Sequence, residues 1–516
     1  MAAPPQDTAP AGPLGRHAAG SPGPLRLTWV QPEDLLGHEL RQAAEDGRDA
    51  AAIERVWLDA GGALAPERAG ASAATADPRL RRLADRLLDE LALLPSPLAG
   101  NEPTDLAAVR TLCEAWPAPL APGSPAHEEP GATADPAPYD SAPHDSALRE
   151  RLEAAWLGRA AGCLLGKPVE KMPLAGIREI ARATGNWPLD GWFTQAGLDE
   201  ATVRRLPWNR RSAATSLAEN IDGMPEDDDL NYPVLGLLLL QRHGHGFRTD
   251  DVATLWLDEL PAGRTFTAER VAYRNLLDGC VPPETGSRRN PFREWIGALI
   301  RADVFGWTHP GDPGTAAELA WRDATLSHTA NGVYGEMFTA AVVAEAASGT
   351  APDVLSCLRT GLRVVPPGSR LMRAVTFGIE TALAEPTGTA AGFETVVDRL
   401  HEEYGHHHWV HVLPNAALLA AALTHADGDF TGSICRAVSG GWDTDSVGAT
   451  AGSVAGLLAG SPEALPARWT GPLRNRLATS VGGFDGTGFD ALARLTCRLA
   501  YPTPRPPADR QEIPAP

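Results

Sequence analysis

The sequence predicts an all-α protein, on three observations. Leu80, Leu83, Leu87, Leu91 and Leu94 recur at helical spacing. From residue 147 to residue 502 one helical pattern follows another. Alternating strand patterns are scarce, and no regular repeat interrupts the series. In chain order, residues 1–24 are rich in Pro, Ala and Gly and read as disordered. Residues 25–116 read as a small helical module, with helices expected at 32–44, 51–60 and 78–94 and no recognisable chemistry. Residues 117–146 form a Pro/Ala/acidic linker. The main domain, 147–502, carries expected helices at 147–166, 228–242, 249–260, 291–302, 314–325, 332–347, 368–384, 414–424 and 445–459. Residues 503–516 are Pro-rich again and read as a disordered tail. In the last of those helices Gly448, Ala449, Gly452, Ala455 and Gly456 put small residues on one face. Glycines inside a helix cost stability, so a second helix is expected to approach that face closely.

The composition bounds the function. The chain has 516 residues, enough for two or three domains, and 43% of them are hydrophobic, enough for a large core. A formal net charge of −20 excludes a basic footprint for a nucleic-acid polymer. A small anion held through a cation stays compatible with it. The six cysteines are widely spaced without a CxxC pair, as buried thiols of a reducing compartment are. The N-terminal stretch has no apolar signal region, and the longest uncharged apolar stretch, 447–460, is too short and Gly-rich to span a bilayer. A cytoplasmic protein with no membrane contact is expected.

Chemistry concentrates in four segments. The first is Gly158-Arg159-Ala160-Ala161-Gly162-Cys163-Leu164-Leu165-Gly166-Lys167-Pro168-Val169-Glu170, a Gly/Ala-rich helix and a Pro-containing loop that delivers Glu170. That acid is either a solvated loop residue or a general acid/base. The second is the knot Glu226-Asp227-Asp228-Asp229 before a helix. Aspartates there cap helices, but three in a row exceed what a cap requires. The third is Ser327-His328-Thr329-Ala330-Asn331-Gly332, where His328 is either a satisfied structural residue or a ligand contact. The fourth is Gly440-Gly441-Trp442-Asp443-Thr444-Asp445-Ser446, in which Asp443 and Asp445, two apart in extended or turn backbone, converge on one point beside Ser446. Hard oxygen donors of this kind suit Mg²⁺ or Mn²⁺. Two acid knots are costly to bring together without a cation, so a two-metal site closed by distant parts of the chain is expected. A further cluster, His406-His407-His408-Trp409-Val410-His411, has His407 and His411 four apart, a zinc grip if helical. No cysteine or HExxH glutamate accompanies it, and Pro414 marks a loop entering a helix, so a loop at the cleft entrance is the preferred reading.

Taken in this order, the four segments resemble the ADP-ribosylglycohydrolase family, the group of dinitrogenase reductase-activating glycohydrolases and ADP-ribosyl-acceptor hydrolases, over residues 148–500. The resemblance implies an orthogonal multi-helix all-α bundle with a binuclear Mg²⁺ centre in a cleft, Mn²⁺ being the other candidate ion. By motif it makes Asp227, Asp228, Asp229, Asp443, Asp445 and Ser446 metal ligands. It makes Glu170 and Asp443 catalytic, with Glu170 as acid/base. It puts His328 and Asn331 in the substrate pocket, and Trp442 either lines the cleft or belongs to the core. The implied partner is an ADP-ribosylated protein or a small ADP-ribosyl substrate. Four departures mark a divergent member: Asp227 stands for a Thr, Leu230 for a second Thr, Ser446 for a Thr whose hydroxyl it keeps, and Trp442 stands between the Gly pair and Asp443. The competing expectations are a catalytically silent ADP-ribose-binding or structural protein of the same fold, and a Mg²⁺-dependent hydrolase of another nucleotide-like metabolite.

Overall fold

A computed structural model describes residues 26–64, 70–72, 75–120, 143–209 and 212–500. The segments read as disordered, 1–24 and 503–516, and most of the linker 117–146 lie outside the described residues. Among those described, every regular element is a helix, and extended pairing is limited to the isolated bridges Met224–Leu477 and Trp295–His411.

The N-terminal helices follow their sequence signals. Pro32–Glu45 and Pro78–Ala92 both start on proline, whose fixed φ suits the first helical turn, and Asp77 accepts the Arg79 N–H as a cap. Leu87 and Leu91 of the leucine stripe are fully buried, while Leu80, Leu83 and Leu94 pack against the same core. That core is continuous from Leu35 to Ala500. Ion pairs fasten the N-terminal helices to the rest: Arg293 lies 2.8 Å from both Glu39 and Asp46, and Arg370 lies 2.7 Å from Glu102. Beside them His38 sits edge-on to Phe292 and Trp295, and His408 stacks on Trp295 at 4.2 Å.

Burial of the two histidines has a stability consequence. Burial first, then the charge of Arg41, pulls the His38 pKa from 6.5 to about 3. Burial first, then His38 and Arg41, pulls His408 from 6.5 to about 2. Both rings are therefore neutral in the folded protein where the unfolded chain would take up protons. Stability is complete above about pH 6.5 and falls as the pH drops below it, by up to about 1.4 kcal/mol per group per pH unit. Urea midpoints at pH 7.5 and pH 5 check this: the midpoint drops at pH 5 in the wild type, and the drop shrinks in His38→Phe.

The pair that positions the site is Pro143–Gly166 and Thr444–Ala459. Gly158 meets Gly452, Gly162 meets Gly448, Gly166 meets Thr444, and Ala154 meets Gly456. One index rises in steps of four as the other falls, so the helices run antiparallel with their backbones in contact. A Cβ on Gly162 would lie 1.9 Å from the Gly448 carbonyl oxygen. The end of the first helix thereby abuts the start of the second, and Thr444 Oγ1 donates to the Gly166 carbonyl at 2.8 Å. The close approach expected of the small-residue face is met.

The expected helix at 291–302 is not formed. These residues run through turns to a short 3₁₀ turn, Leu299–Arg301, followed by the helix Asp303–Trp307. The backbone groups of 294–296 pair instead with the histidine segment: Ile296 N–H donates to Val410 O at 2.9 Å and Val412 N–H to Glu294 O at 3.1 Å. Tertiary pairing overrides the local pattern there. No helix among the described residues is long and apolar enough to cross a membrane.

Candidate metal centre

The acids converge where the glycine-packed helices meet a third, Asp228–His243. Asp227 is its N-cap, accepting the Asp229 N–H at 3.0 Å. Pro233 within this helix has no N–H to give to the Asp229 carbonyl four residues back. The buried Arg159 fills the gap: its Nε donates to Asp229 O at 2.8 Å, and its other nitrogens reach Asp303 at 2.7 Å and Ile300 O at 2.6 Å. Asp229 is thus fixed by its backbone, and its Oδ1 is buried with no hydrogen-bond partner.

The second knot is held from behind. Gly441 at φ 79° and Trp442 at φ 57° make two successive left-handed residues, so the chain turns sharply before Asp443. That conformation is strained for tryptophan, and stacking on His401 at 3.8 Å, with the planes 2° apart, holds it. Asn415 accepts the Asp443 N–H at 3.1 Å. Asp443 begins the helix without using its side chain as a cap, and its carboxyl faces Asp445 instead. Ser446 Oγ donates to Asp229 Oδ2 at 3.2 Å and joins the two knots.

Glu170 completes the set. The 3₁₀ turn Lys167–Val169 carries the chain from Gly166 to Glu170, whose oxygens take Asn209 Nδ2 at 2.6 Å and Lys171 Nζ at 2.7 Å. Ligand atoms of Glu170, Asp443 and Asp445 lie within 4.8 Å of one another, as do those of Cys163, Asp227 and Asp229. Asp228 remains partly exposed, while Asp229, Asp443 and Asp445 are buried.

Crowding of this kind resists ionisation. Burial first, then the charges of Asp227 and Asp445, holds Asp228 and Asp229 well above the usual carboxylate range. Burial and Asp445 do the same to Asp443, and burial with Glu170 pushes Asp445 up to about 8. Burial would raise Asp227 too, but the Lys167 ammonium beside it wins and holds it low. The Cys163 thiol is pushed up by burial first and then by the charges of Asp227 and Asp229.

The donor set fits a hard divalent cation: carboxylates, a hydroxyl, and the buried Asp229 Oδ1, which has no hydrogen bond and only the Arg159 guanidinium at 3.6 Å. Three of the expected site residues, Asp227, His328 and Asn331, are placed differently, and Trp442 takes the core alternative. Asp227 has one oxygen on the Asp229 N–H and the other on Lys167, so it is engaged before any ion arrives. His328 is fully buried, with Nδ1 on Ser327 Oγ at 2.8 Å and Nε2 3.9 Å from Glu269, inside the network of Arg301. Asn331 bonds Glu294 and accepts the Leu371 N–H. Neither bonds to the acids of the two knots. Trp442 is 7% exposed and gives one face to His401. Lys167, Arg159, Asn209 and Asn415 were not read from the sequence as site residues; Asn415, directly after Pro414 at a helix start, carried the one local signal.

A family model described as ADP-ribosylglycohydrolase matches residues 144–502. A solved structure described as an ADP-ribosylglycohydrolase-related protein complex is 22% identical, covering 69% of this chain and 99% of its own, with a TM-score of 0.44. No curated protein matches the chain.

Proposed function

The chain belongs to the ADP-ribosylglycohydrolase family, and on that premise we propose that it is a divalent-cation-dependent hydrolase cleaving the glycosidic bond of an ADP-ribosyl group on a protein side chain or small molecule. The observation that carries this reading is the meeting of two distant acid knots, with Ser446 Oγ of one donating to Asp229 Oδ2 of the other. Asp228, Asp229, Asp443, Asp445 and Ser446 are the residues we assign to the cation, Mg²⁺ first and Mn²⁺ second, with a pair of ions as the fuller form. When bound, the cation supplies the charge that lets these carboxylates ionise together and a fixed seat for ribose hydroxyls.

The chain's own groups do the rest. Asp227, paired with Lys167, caps the helix that presents Asp228 and Asp229. Asn209 and Lys171 orient Glu170, which lies at the partly open edge of the cluster. Glu170 moves the proton between the attacking water and the leaving atom at the anomeric carbon, through an oxocarbenium-like transition state. Its removal has a readable signature. Glu170→Gln lowers kcat by about 10²–10⁴-fold while the Kd for ADP-ribose changes little. Stopped turnover with calorimetry checks it, and an unchanged kcat removes Glu170 from the chemistry.

The test of the reading is release of free ADP-ribose from arginine- and serine-ADP-ribosylated substrates with Mg²⁺, with Mn²⁺ and with EDTA. Cation-dependent release establishes the activity and the linkage. The Lys167–Asp227 pair, which already occupies one acid, favours one second reading: a silent ADP-ribose-binding protein. It predicts binding of ADP-ribose in calorimetry with no release under any condition.

A further inference from the structure

A second cluster of ligand-type side chains lies where the N-terminal helices meet the main body. Glu45 is the last residue of Pro32–Glu45, and His407 and His411 come from the segment ahead of Val412–Ala426. Glu45 Oε1 is 3.4 Å from His407 Nδ1, and Glu45 Oε2 is 3.3 Å from His411 Nε2. All three ligand atoms lie within 4.8 Å of one another. The side chains are nearly sealed, at 9%, 7% and 0% exposure. Yet His407 Nδ1 and His411 Nε2 lack a hydrogen-bond partner of proper alignment. Two buried ring nitrogens that face the Glu45 carboxylate at 3.3–3.4 Å in poor alignment, with Glu294 a further 3.9 Å contact of His411 Nε2, are costly as they stand.

Distances give the reason. Donors bound at about 2.0–2.1 Å to one tetrahedral ion stand about 3.3–3.4 Å apart. Each ring nitrogen stands at that distance from the Glu45 carboxylate, though from a different oxygen, 3.4 Å from His407 Nδ1 to Oε1 and 3.3 Å from His411 Nε2 to Oε2, and with one ligand atom per residue within 4.8 Å of the others a small turn of the carboxylate closes the three onto one ion. Two imidazoles and one carboxylate form a borderline donor set that prefers Zn²⁺ or a similar late transition ion over Mg²⁺, and three protein ligands leave a fourth position for solvent. We propose that Glu45, His407 and His411 bind one transition-metal ion of the Zn²⁺ class, which clamps the N-terminal helices to the main body.

The site is separate from the acid cluster but wired to it: Asn415 donates to the His411 carbonyl at 2.8 Å and accepts the Asp443 N–H. Binding has one local cost. Leu413 N–H points at His411 Nδ1 at 3.2 Å, and a ring that coordinates through Nε2 carries its proton on Nδ1 and gives up that contact. Metal–nitrogen bonding outweighs one long helix-end contact.

The experiment is a Co²⁺ titration of the EDTA-dialysed full chain, followed by visible absorption. Tetrahedral Co²⁺ absorbs strongly, whereas octahedral Co²⁺ on oxygen donors absorbs weakly, so the two sites are told apart. One strongly absorbing equivalent is expected, displaced by Zn²⁺ and not by Mg²⁺. It persists in Asp443→Asn/Asp445→Asn, is lost in His407→Ala and in Glu45→Gln, and is unaffected by His406→Ala. Circular dichroism verifies that each variant is folded. Absence of the strong band in the wild type overturns the proposal, leaving a carboxylate between two imidazoles. Survival of the band in folded His407→Ala overturns it equally.

Discussion

Changing Asp443 and Asp445 together to asparagine abolishes turnover and at the same time makes the cation-free protein more stable. The loss follows from the donor set. The two residues, with Glu170, form one of the two groups of ligand atoms at the site. Asparagine keeps their size but not their charge, and removal of one focused electrostatic partner already costs about 10²–10³-fold. Loss of two is expected to cost at least about 10³-fold in release of ADP-ribose. The gain follows from the same crowding. Burial and mutual repulsion raise Asp228, Asp229, Asp443 and Asp445 together, so without a cation the site stores unfavourable energy in the fold. Asparagine relieves it and still lets the oxygen at position 445 accept the Ser446 N–H, a 3.1 Å bond in the wild type.

Opposite signs in the two measurements separate this from simple damage. In EDTA the double variant melts above the wild type. With saturating Mg²⁺ the order reverses, because only the wild type gains binding energy, about 2.7 kcal/mol at a hundred times Kd. A variant that is inactive because it is misfolded would melt lower in both. If the wild type shows no Mg²⁺-dependent rise in Tm, the cation assignment fails whatever the activity does.

How much of this was legible in the sequence depends on the range of the interaction. The acids of the two knots, the loop glutamate and the small-residue face were all visible, because each is a local pattern of residue types. So were most helices whose apolar period is their own. What failed was set from a distance. Residues 291–302 carry a helical pattern, yet the histidine segment takes their backbone groups. His328 looked available in its motif, but only the fold shows it walled in by Arg301, Ser327 and Glu269. Lys167 carries no signal in its own segment, since its partner Asp227 lies sixty residues away; in the fold it neutralises Asp227. The same pairing accommodates an acid where the motif resemblance leads one to expect a hydroxyl. The Asp227 carboxylate retains the capping role, and Lys167 cancels the added charge.

Gly162→Ala is expected to be among the most damaging single-methyl changes in the chain. Helix propensity alone favours it by about 1 kcal/mol. The new Cβ, however, would lie 1.9 Å from Gly448 O, 2.4 Å from Gly448 C and 3.1 Å from Ala449 N. All three atoms are backbone of the facing helix, so no side chain can swing aside. The reciprocal change meets the same wall, with a Cβ on Gly448 falling 2.4 Å from Gly162 O. Relief requires the two helices to separate by more than an ångström along a seam that runs from Gly158 to Gly166, and overpacking of this kind costs about 1–3 kcal/mol or more. The clash outweighs the propensity gain. The same separation moves Gly166, and with it Glu170, away from Thr444 and the acids that follow it. Tm and turnover therefore fall together in Gly162→Ala, and added Mg²⁺ restores neither fully. Gly246→Ala, where a Cβ meets nothing within 4 Å, leaves both unchanged. A Gly162→Ala protein with wild-type Tm and activity would mean that the glycine seam does not set the spacing of the site.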